Sequence, residues 1–175
     1  IVTAIWGIAI IGFYSDIYNS LINWVVITHI SALIIPILFL LFSVNFPKKI
    51  VNDYRSIFIS IIPSIILICM ILFTDTVIGE TIGKTYKINI GYLSYCFILV
   101  SYFFISFLFL IKQFKNASNF NEKKQIQYVL IGTIVSSVLA ILPDLILPFI
   151  GVYEFTWLVP VFTIMIVISF FFGMF

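Results

Sequence analysis

The sequence has little charge. Only 9% of its 175 residues are charged and 63% are hydrophobic, whereas an ordinary soluble domain carries roughly 25% charged residues. This shortage excludes a soluble globular protein, and the apolar content excludes a disordered chain. The nine basic and seven acidic residues leave a net charge of +2, which is too little and too scattered for a nucleic-acid-binding surface.

The chain is also poor in residues that carry catalysis or bind metals. It has one histidine and two cysteines, and it has no glycine-rich phosphate loop, no Ser-His-acid set and no Cys/His spacing that suits a metal. Cys69 and Cys96 lie inside apolar runs, so we expect both to be reduced and buried rather than bridged. We therefore predict that this chain is not an enzyme and holds neither a cofactor nor a metal.

Long apolar runs make up most of the sequence. There are six, at Ile1–Tyr14, Leu21–Phe46, Ile57–Phe73, Gly91–Ile111, Tyr128–Ile150 and Tyr153–Phe175. Because lipid offers the backbone no hydrogen-bond partner, runs of this length predict membrane helices. We predict an all-α fold: one polytopic membrane helix bundle over residues 1–175 with six spans. The chain starts without Met and stops inside an apolar run, so we expect a fragment that is truncated at both ends.

Residues 74–89 have a different pattern. The β-prone stretches Thr76–Ile78 and Thr85–Ile88 flank a turn-prone segment, Gly79 to Gly83. This pattern predicts a short hairpin between the third and fourth spans.

The basic residues predict the orientation in the membrane. Two of the nine, Lys84 and Lys87, lie on one side. The other seven are Lys48, Lys49, Arg55, Lys112, Lys115, Lys123 and Lys124. By the positive-inside rule this second side is cytoplasmic. We expect a multi-pass protein of the cell (inner) membrane, with the turn at Asp16, the hairpin and the Gly151–Glu154 turn outside and the C-terminal Phe175 in the cytoplasm.

Three polar side chains fall at similar depths in the outer half of separate spans. Asp144 lies roughly 8 Å outward of the middle of its segment, at 1.5 Å per residue, and His29 and Tyr95 lie at comparable depths. A charge buried there costs at least ~2.5 kcal/mol, and intramembrane acids mark functional sites. The three residues predict a pocket for a ligand or for proton sensing. The alternative is a satisfied polar group that reaches the interface beside Pro143 and Pro148.

Two further residues extend this candidate ligand site. Ser137 lies on the same predicted helix face as Asp144, and Trp24 lies near the outer end of its span. Both have a structural alternative. Small residues at every fourth position in Gly132–Ala140 allow close helix packing, and Trp24 is typical of an interfacial anchor.

Prolines recur inside the predicted spans. Pro36, Pro143 and Pro160 each remove a helical hydrogen bond and free the carbonyl four residues earlier, which makes them candidate hinges. The alternative is that membrane helices simply tolerate proline.

Several short motifs occur in a characteristic order. They are Ala4-Ile5-Trp6-Gly7, Pro36 followed by Leu40-Leu41-Phe42 and Phe46-Pro47, Ile62-Pro63, and Lys124-Gln125-Ile126-Gln127-Tyr128-Val129-Leu130-Ile131-Gly132. With the hairpin, they resemble the seven-transmembrane N-terminal sensor region of bacterial histidine kinases, and this chain resembles its spans two to seven.

The resemblance implies a receptor in a two-component signal-transduction system. The last span would feed a cytoplasmic kinase or cyclase domain in the same polypeptide, and the catalytic residues would lie in that domain. His29 is not the phosphorylated histidine of such a kinase, because a buried imidazole cannot reach a cytoplasmic phosphate donor. The expected partners are the lipid bilayer, an unknown small ligand and a second copy in a homodimer.

Two other classes of function stay open from the residues alone. A small-solute transporter or channel needs a continuous polar path, and polar residues thin out towards the inner half, where Ser60, Ser106 and Thr133 remain. A structural subunit of a membrane complex needs no such path.

Overall fold

The computed structural model describes residues 1–15, 21–48, 55–82 and 85–174. Within these ranges the chain forms six main helices and one two-stranded sheet. The helices are α1 Val2–Ser15, α2 Leu21–Asn45, α3 Arg55–Phe73, α4 Gly91–Asn116, α5 Phe120–Ile141 and α6 Val159–Met174. This confirms the predicted helical class. The predictions for Asp16, Lys49, Lys84 and Phe175 lie outside the described residues.

Irregular turns join α5 to α6. A π-helical turn, Leu142–Ile146, and a short α-helical turn, Leu147–Phe149, continue α5. A 3-10 turn, Thr156–Leu158, leads into α6. The predicted site residue Asp144 lies inside the π-helical turn.

Among the described residues, four helical stretches are long and apolar enough to cross a membrane: Asn23–Asn45, Gly91–Asn116, Phe120–Phe149 and Thr156–Gly173. The apolar helices Val2–Ser15 and Ile57–Phe73 are shorter, so their spanning stays a prediction. Large apolar side chains such as Phe58, Phe104 and Phe172 are exposed on the bundle surface. Contiguous exposed apolar surface of this kind suits lipid rather than water. The chain is therefore a membrane protein, and a lipid bilayer is its environment.

The predicted hairpin is confirmed, with a shifted start. Strand β1, Ile78–Ile82, pairs antiparallel with β2, Thr85–Ile88. Gly79 lies within β1 rather than in the turn. Gly91, at the start of α4, donates its N–H to Thr76 O at 2.9 Å. A Cβ on Gly91 would lie 2.7 Å from that oxygen, so a glycine there lets α4 begin directly beneath the hairpin.

The two ends of the bundle differ: one carries the hairpin and the other carries most of the described basic residues. The hairpin end carries β1 and β2 and the largest core cluster, which includes Trp6, Leu33 and Tyr92. The basic end is defined by its described cations, Lys48, Arg55, Lys112, Lys115, Lys123 and Lys124. At that end Lys48 forms an ion pair with Glu122 at 2.8 Å.

Small residues bring α5 and α6 into close contact. A Cβ built on Gly132 would lie 1.6 Å from Ser169 Oγ of α6, so the two backbones approach closely there. Next to this contact the Ser136 hydroxyl donates to Phe162 O at 2.8 Å. The packing interpretation of Gly132–Ala140 is thus confirmed for Gly132 and Ser136.

Candidate functional site

His29 is buried in α2 among tyrosines. Its Nδ1 lies 2.8 Å from Val25 O, so Nδ1 carries the proton and Nε2 is left as an acceptor. The ring centroids of Tyr86, Tyr92 and Tyr95 lie 5.2, 6.0 and 5.4 Å from that of His29. Three separate elements, α2, β2 and α4, therefore contribute to its surroundings.

Pro148 changes the backbone hydrogen bonding around Asp144. Pro148 has no N–H, so the Asp144 carbonyl loses its ordinary helical donor, and the Tyr92 hydroxyl donates to that carbonyl at 3.2 Å. Leu147 N–H bonds instead to Leu142 O, five residues earlier. Local π-helical geometry of this kind is frequent at functional sites.

The Asp144 carboxyl group has no hydrogen-bond partner among the described residues; the Tyr92 bond is to its backbone. The side chain is half-buried and lies in the walls of two small cavities. An ionised carboxyl group in such a place is expensive unless something pairs with it.

One of the two cavities beside Asp144, here called the tyrosine cavity, lies at the hairpin end and has a volume of about 20 Å³. Its walls include His29 and Asp144 together with Tyr14, Tyr86 and Tyr153. This is room for about one water molecule. His29 and Asp144 therefore line one small cavity, and a ligand site there stays a prediction.

The second, the tryptophan cavity, lies on the other side of Asp144 and has a volume of about 40 Å³. Trp6, Ser137 and Thr163 line it with Asp144. The Trp6 indole N–H is buried and has no hydrogen-bond partner among the described residues. One cavity wall therefore holds an unused donor and an unused acceptor.

A third, the apolar cavity, measures about 380 Å³. It lies towards the basic end, between the start of α1 and the helices α2, α4, α5 and α6. Its walls include Leu38, Phe42, Thr133 and Phe170. The Thr133 hydroxyl already donates to Val129 O at 2.6 Å. Thr3 and the first residue, Ile1, supply the other polar groups of a wall that is mostly hydrocarbon.

No protein-family model, curated protein or solved structure matches the chain. The functional argument therefore depends on the geometry of the site. Within the described ranges no group of three or more His, Cys, Asp or Glu side chains comes together as a metal site requires.

The remaining predicted ligand residues are placed differently. Ser137 lines the tryptophan cavity. Tyr95 is buried behind His29 and donates its hydroxyl to His29 O at 3.2 Å, so it supports the histidine without lining the tyrosine cavity. Trp24 packs on Gly12, where an added Cβ would lie 2.7 Å from the indole ring. Trp24 thus holds α1 against α2 and lines none of the three cavities.

The three candidate hinges lie in different local structures. Pro36 is buried inside α2, which continues through it. Pro143 lies in the π-helical turn. Its carbonyl lies 3.4 Å from the Thr156 hydroxyl, which is closer to Tyr153 O, at 3.0 Å. Pro160 is the second residue of α6, where a helix needs no donor from it. Pro143 and Pro160 thus each contact a threonine of a cavity wall through their carbonyls, Thr156 and Thr163 respectively.

The hairpin covers the tyrosine cavity through residues that sequence patterns missed. Tyr153 donates its hydroxyl to Tyr86 O at 2.7 Å, and their rings lie 4.9 Å apart. Burial, with the nearby charge of Asp144 as the next cause, raises the pKa of Tyr86 well above its ordinary value. Tyr86 therefore stays a neutral phenol at physiological pH.

Proposed function

We propose that this chain is the membrane-embedded sensory input module of a signal-transduction histidine kinase, or of a protein with a similar cytoplasmic output domain in the same polypeptide. The observation that carries the proposal is the unpartnered carboxyl group of Asp144 between two cavities. An unpartnered carboxyl group inside a membrane protein lowers its stability. A ligand that pairs with the group would offset this cost and would account for its presence. The motif order and the hairpin, which resemble the kinase sensor region, add support.

The signal in this proposal passes through the junction of α5 and α6. The π-helical turn carries Asp144, and the Pro143 carbonyl in that turn lies 3.4 Å from the Thr156 hydroxyl, in the 3-10 turn that leads into α6. A ligand that pairs with Asp144 in one arrangement of this turn and not in another shifts the population between them. Small helix shifts of this type are a known switching motion, and α6 carries the shift to the basic end.

The proposal includes an orientation. The basic end faces the cytoplasm of a bacterial cell and the hairpin end faces outward, because six described cations lie at the former and the positive-inside rule applies. The end of α6 then delivers the signal to the cytoplasmic side, where two copies pair through the output domains.

The test is a fusion of the chain to a reporter histidine kinase, with autophosphorylation measured in membranes. Asp144→Asn removes the ionisable carboxyl group with little change of shape and should change basal autophosphorylation at least several-fold. Asp75→Asn is the matched control, because Asp75 is exposed in the loop before the hairpin, and it should change nothing. Equal activity of both variants and of the parent, at equal membrane insertion, contradicts the proposal.

One observation favours a transporter as the second candidate. The three cavities adjoin, because Asp144 is shared by the first two and Ile35, Phe103 and Ile166 are shared by the last two. A row of cavities along the bundle is what a transport path needs. Reconstitution into liposomes and measurement of proton or solute flux separates the two: flux that Asp144→Asn abolishes supports transport.

A further inference from the structure

The apolar cavity and the tryptophan cavity form one elongated site. Ile35, Phe103 and Ile166 belong to the walls of both, so the two cavities adjoin at these side chains. The larger part, about 380 Å³, falls within the usual range of roughly 300–1,000 Å³ for small-molecule sites. The smaller part, about 40 Å³, holds only a few atoms. A ligand that fits both parts has a long apolar chain in the apolar cavity and a small head group in the tryptophan cavity.

The polar groups around the head position are few and have defined roles. The Ser137 hydroxyl donates to Thr133 O at 2.6 Å and the Thr163 hydroxyl donates to Pro160 O at 2.7 Å, so both have only acceptor capacity left. The Asp144 carboxyl group has no hydrogen-bond partner among the described residues. The one unused donor in this wall is the indole N–H of Trp6.

We infer that this site binds a single-chain amphiphile whose head is a hydroxyl group, such as a long-chain alcohol. A hydroxyl donates one proton and accepts at its lone pairs, so it can donate to Asp144 and accept from Trp6 at once. In this proposal Asp144 is ionised when the hydroxyl donates to it. An ammonium head then has no acceptor for Trp6, a carboxylate head is repelled by Asp144, and an alkane satisfies neither.

Access to the site is lateral, from the bilayer. Leu38 lies in the wall of the apolar cavity and is 47% exposed on the bundle surface, at the level of the helices rather than of the loops. A lipid-soluble ligand therefore reaches the apolar cavity without crossing the hairpin. This inference names the ligand class for the site of the proposed sensory function and rests on that proposal.

The test uses the whole chain in lipid nanodiscs and an alkanol with a photoreactive diazirine at the far end of its chain. Cross-links mapped by mass spectrometry should fall on walls of the apolar cavity, such as Phe42 and Phe170, and 1-dodecanol should suppress them. Ile166→Trp should abolish labelling by filling the shared wall. Ile168→Trp, exposed on the same helix, should leave it unchanged.

The head group is tested by competition. Trp6→Phe and Asp144→Asn should each weaken 1-dodecanol about tenfold, which is the loss of one hydrogen bond to a buried or charged partner. On the unmodified protein, dodecane should compete at least about tenfold more weakly than 1-dodecanol. Equal competition by dodecane, tighter competition by dodecylammonium, or labelling spread over exposed side chains without competition would each overturn the inference.

The same protein fused to the reporter kinase separates this inference from the proposed function. Binding of 1-dodecanol at the mapped site without any change in autophosphorylation contradicts the sensory role and leaves the ligand class standing. A kinase response that depends on Asp144 but not on any alcohol, with no competition in the labelling experiment, overturns the ligand class alone.

Discussion

The contact between α5 and α6 at Gly132 gives the sharpest prediction about stability. A Cβ on Gly132 would lie 1.6 Å from Ser169 Oγ and 2.4 Å from Ser169 Cβ. The hydroxyl can rotate away, but the Cβ is fixed to the backbone, so Gly132→Ala must push α6 outward. Overpacking of this type costs about 1–3 kcal/mol, partly offset by about 0.5–1 kcal/mol because alanine is the better helix former.

Gly7→Ala is the matched control. Gly7 also lies within a helix, but the nearest atom to an added Cβ is Pro160 Cβ at 3.9 Å, which is an ordinary contact. We expect Gly7→Ala to be neutral or to raise the free energy of unfolding by up to about 1 kcal/mol. Gly132→Ala should lower it by roughly 1–2 kcal/mol. Unfolding in mixed micelles, titrated with a denaturing detergent and followed by circular dichroism, measures both.

A second substitution tests the cause. Ser169→Gly removes the side chain that the new Cβ meets, so it should restore part of the stability of Gly132→Ala. On its own Ser169→Gly should be destabilising by about 1 kcal/mol, because glycine is a poor helix former. The double-mutant cycle should show a coupling of opposite sign to the single effects. If Gly132→Ala is as stable as Gly7→Ala, or if the coupling is zero, the close approach of α5 to α6 is wrong.

Three further predictions concern the contact between α3 and α4, the docking of the hairpin and the orientation in the membrane. Tyr102→Phe removes the hydroxyl that accepts from Ser64 at 2.7 Å in the buried contact between α3 and α4, and it should lower the free energy of unfolding by about 1–3 kcal/mol; a loss no larger than that of Tyr128→Phe, at an exposed position, would contradict the contact. Because the pKa of Tyr86 is raised in the folded protein, its neutral form stabilises hairpin docking below pH 10, and this stability should be lost as the pH rises above 10; hydrogen exchange of the hairpin amides measures it, and Tyr86→Phe should remove this alkaline dependence. In a cysteine-free background, an impermeant maleimide added to intact cells should label Glu80→Cys in the hairpin and not Asn119→Cys at the basic end, and the opposite pattern inverts the orientation.

The helices could be predicted from the sequence because lipid leaves the backbone little choice. The predicted run Leu21–Phe46 and the observed α2, Leu21–Asn45, differ by one residue. The run Tyr128–Ile150 missed the polar first turns of α5, which begins at Phe120, because apolarity marks the membrane region and not the whole helix. The faces were harder to predict, since α6 is apolar on almost every side.

The candidate site was predictable only in part. Asp144 and His29 stood out because ionisable groups are rare in apolar runs, and the structure places both in the wall of one cavity. Tyr92 had a signal that was overlooked, its position one turn before Tyr95 on the same face. Trp6 had none, because its buried, unpartnered indole N–H depends on contacts that only the folded chain creates.

The π-helical turn at Leu142–Ile146 amounts to one additional residue in the ladder of α5. Each residue advances a helix by about 100°, so everything beyond the turn is rotated by that angle relative to an uninterrupted helix. The small-residue face at Gly132 and the acid at Asp144 therefore belong to two different angular registers of one helix. Loss of a single residue here would leave the membrane-spanning length almost unchanged while turning the acid away from its cavities. Among relatives of this chain, single-residue gaps in this turn should separate those that keep the site from those that have lost it.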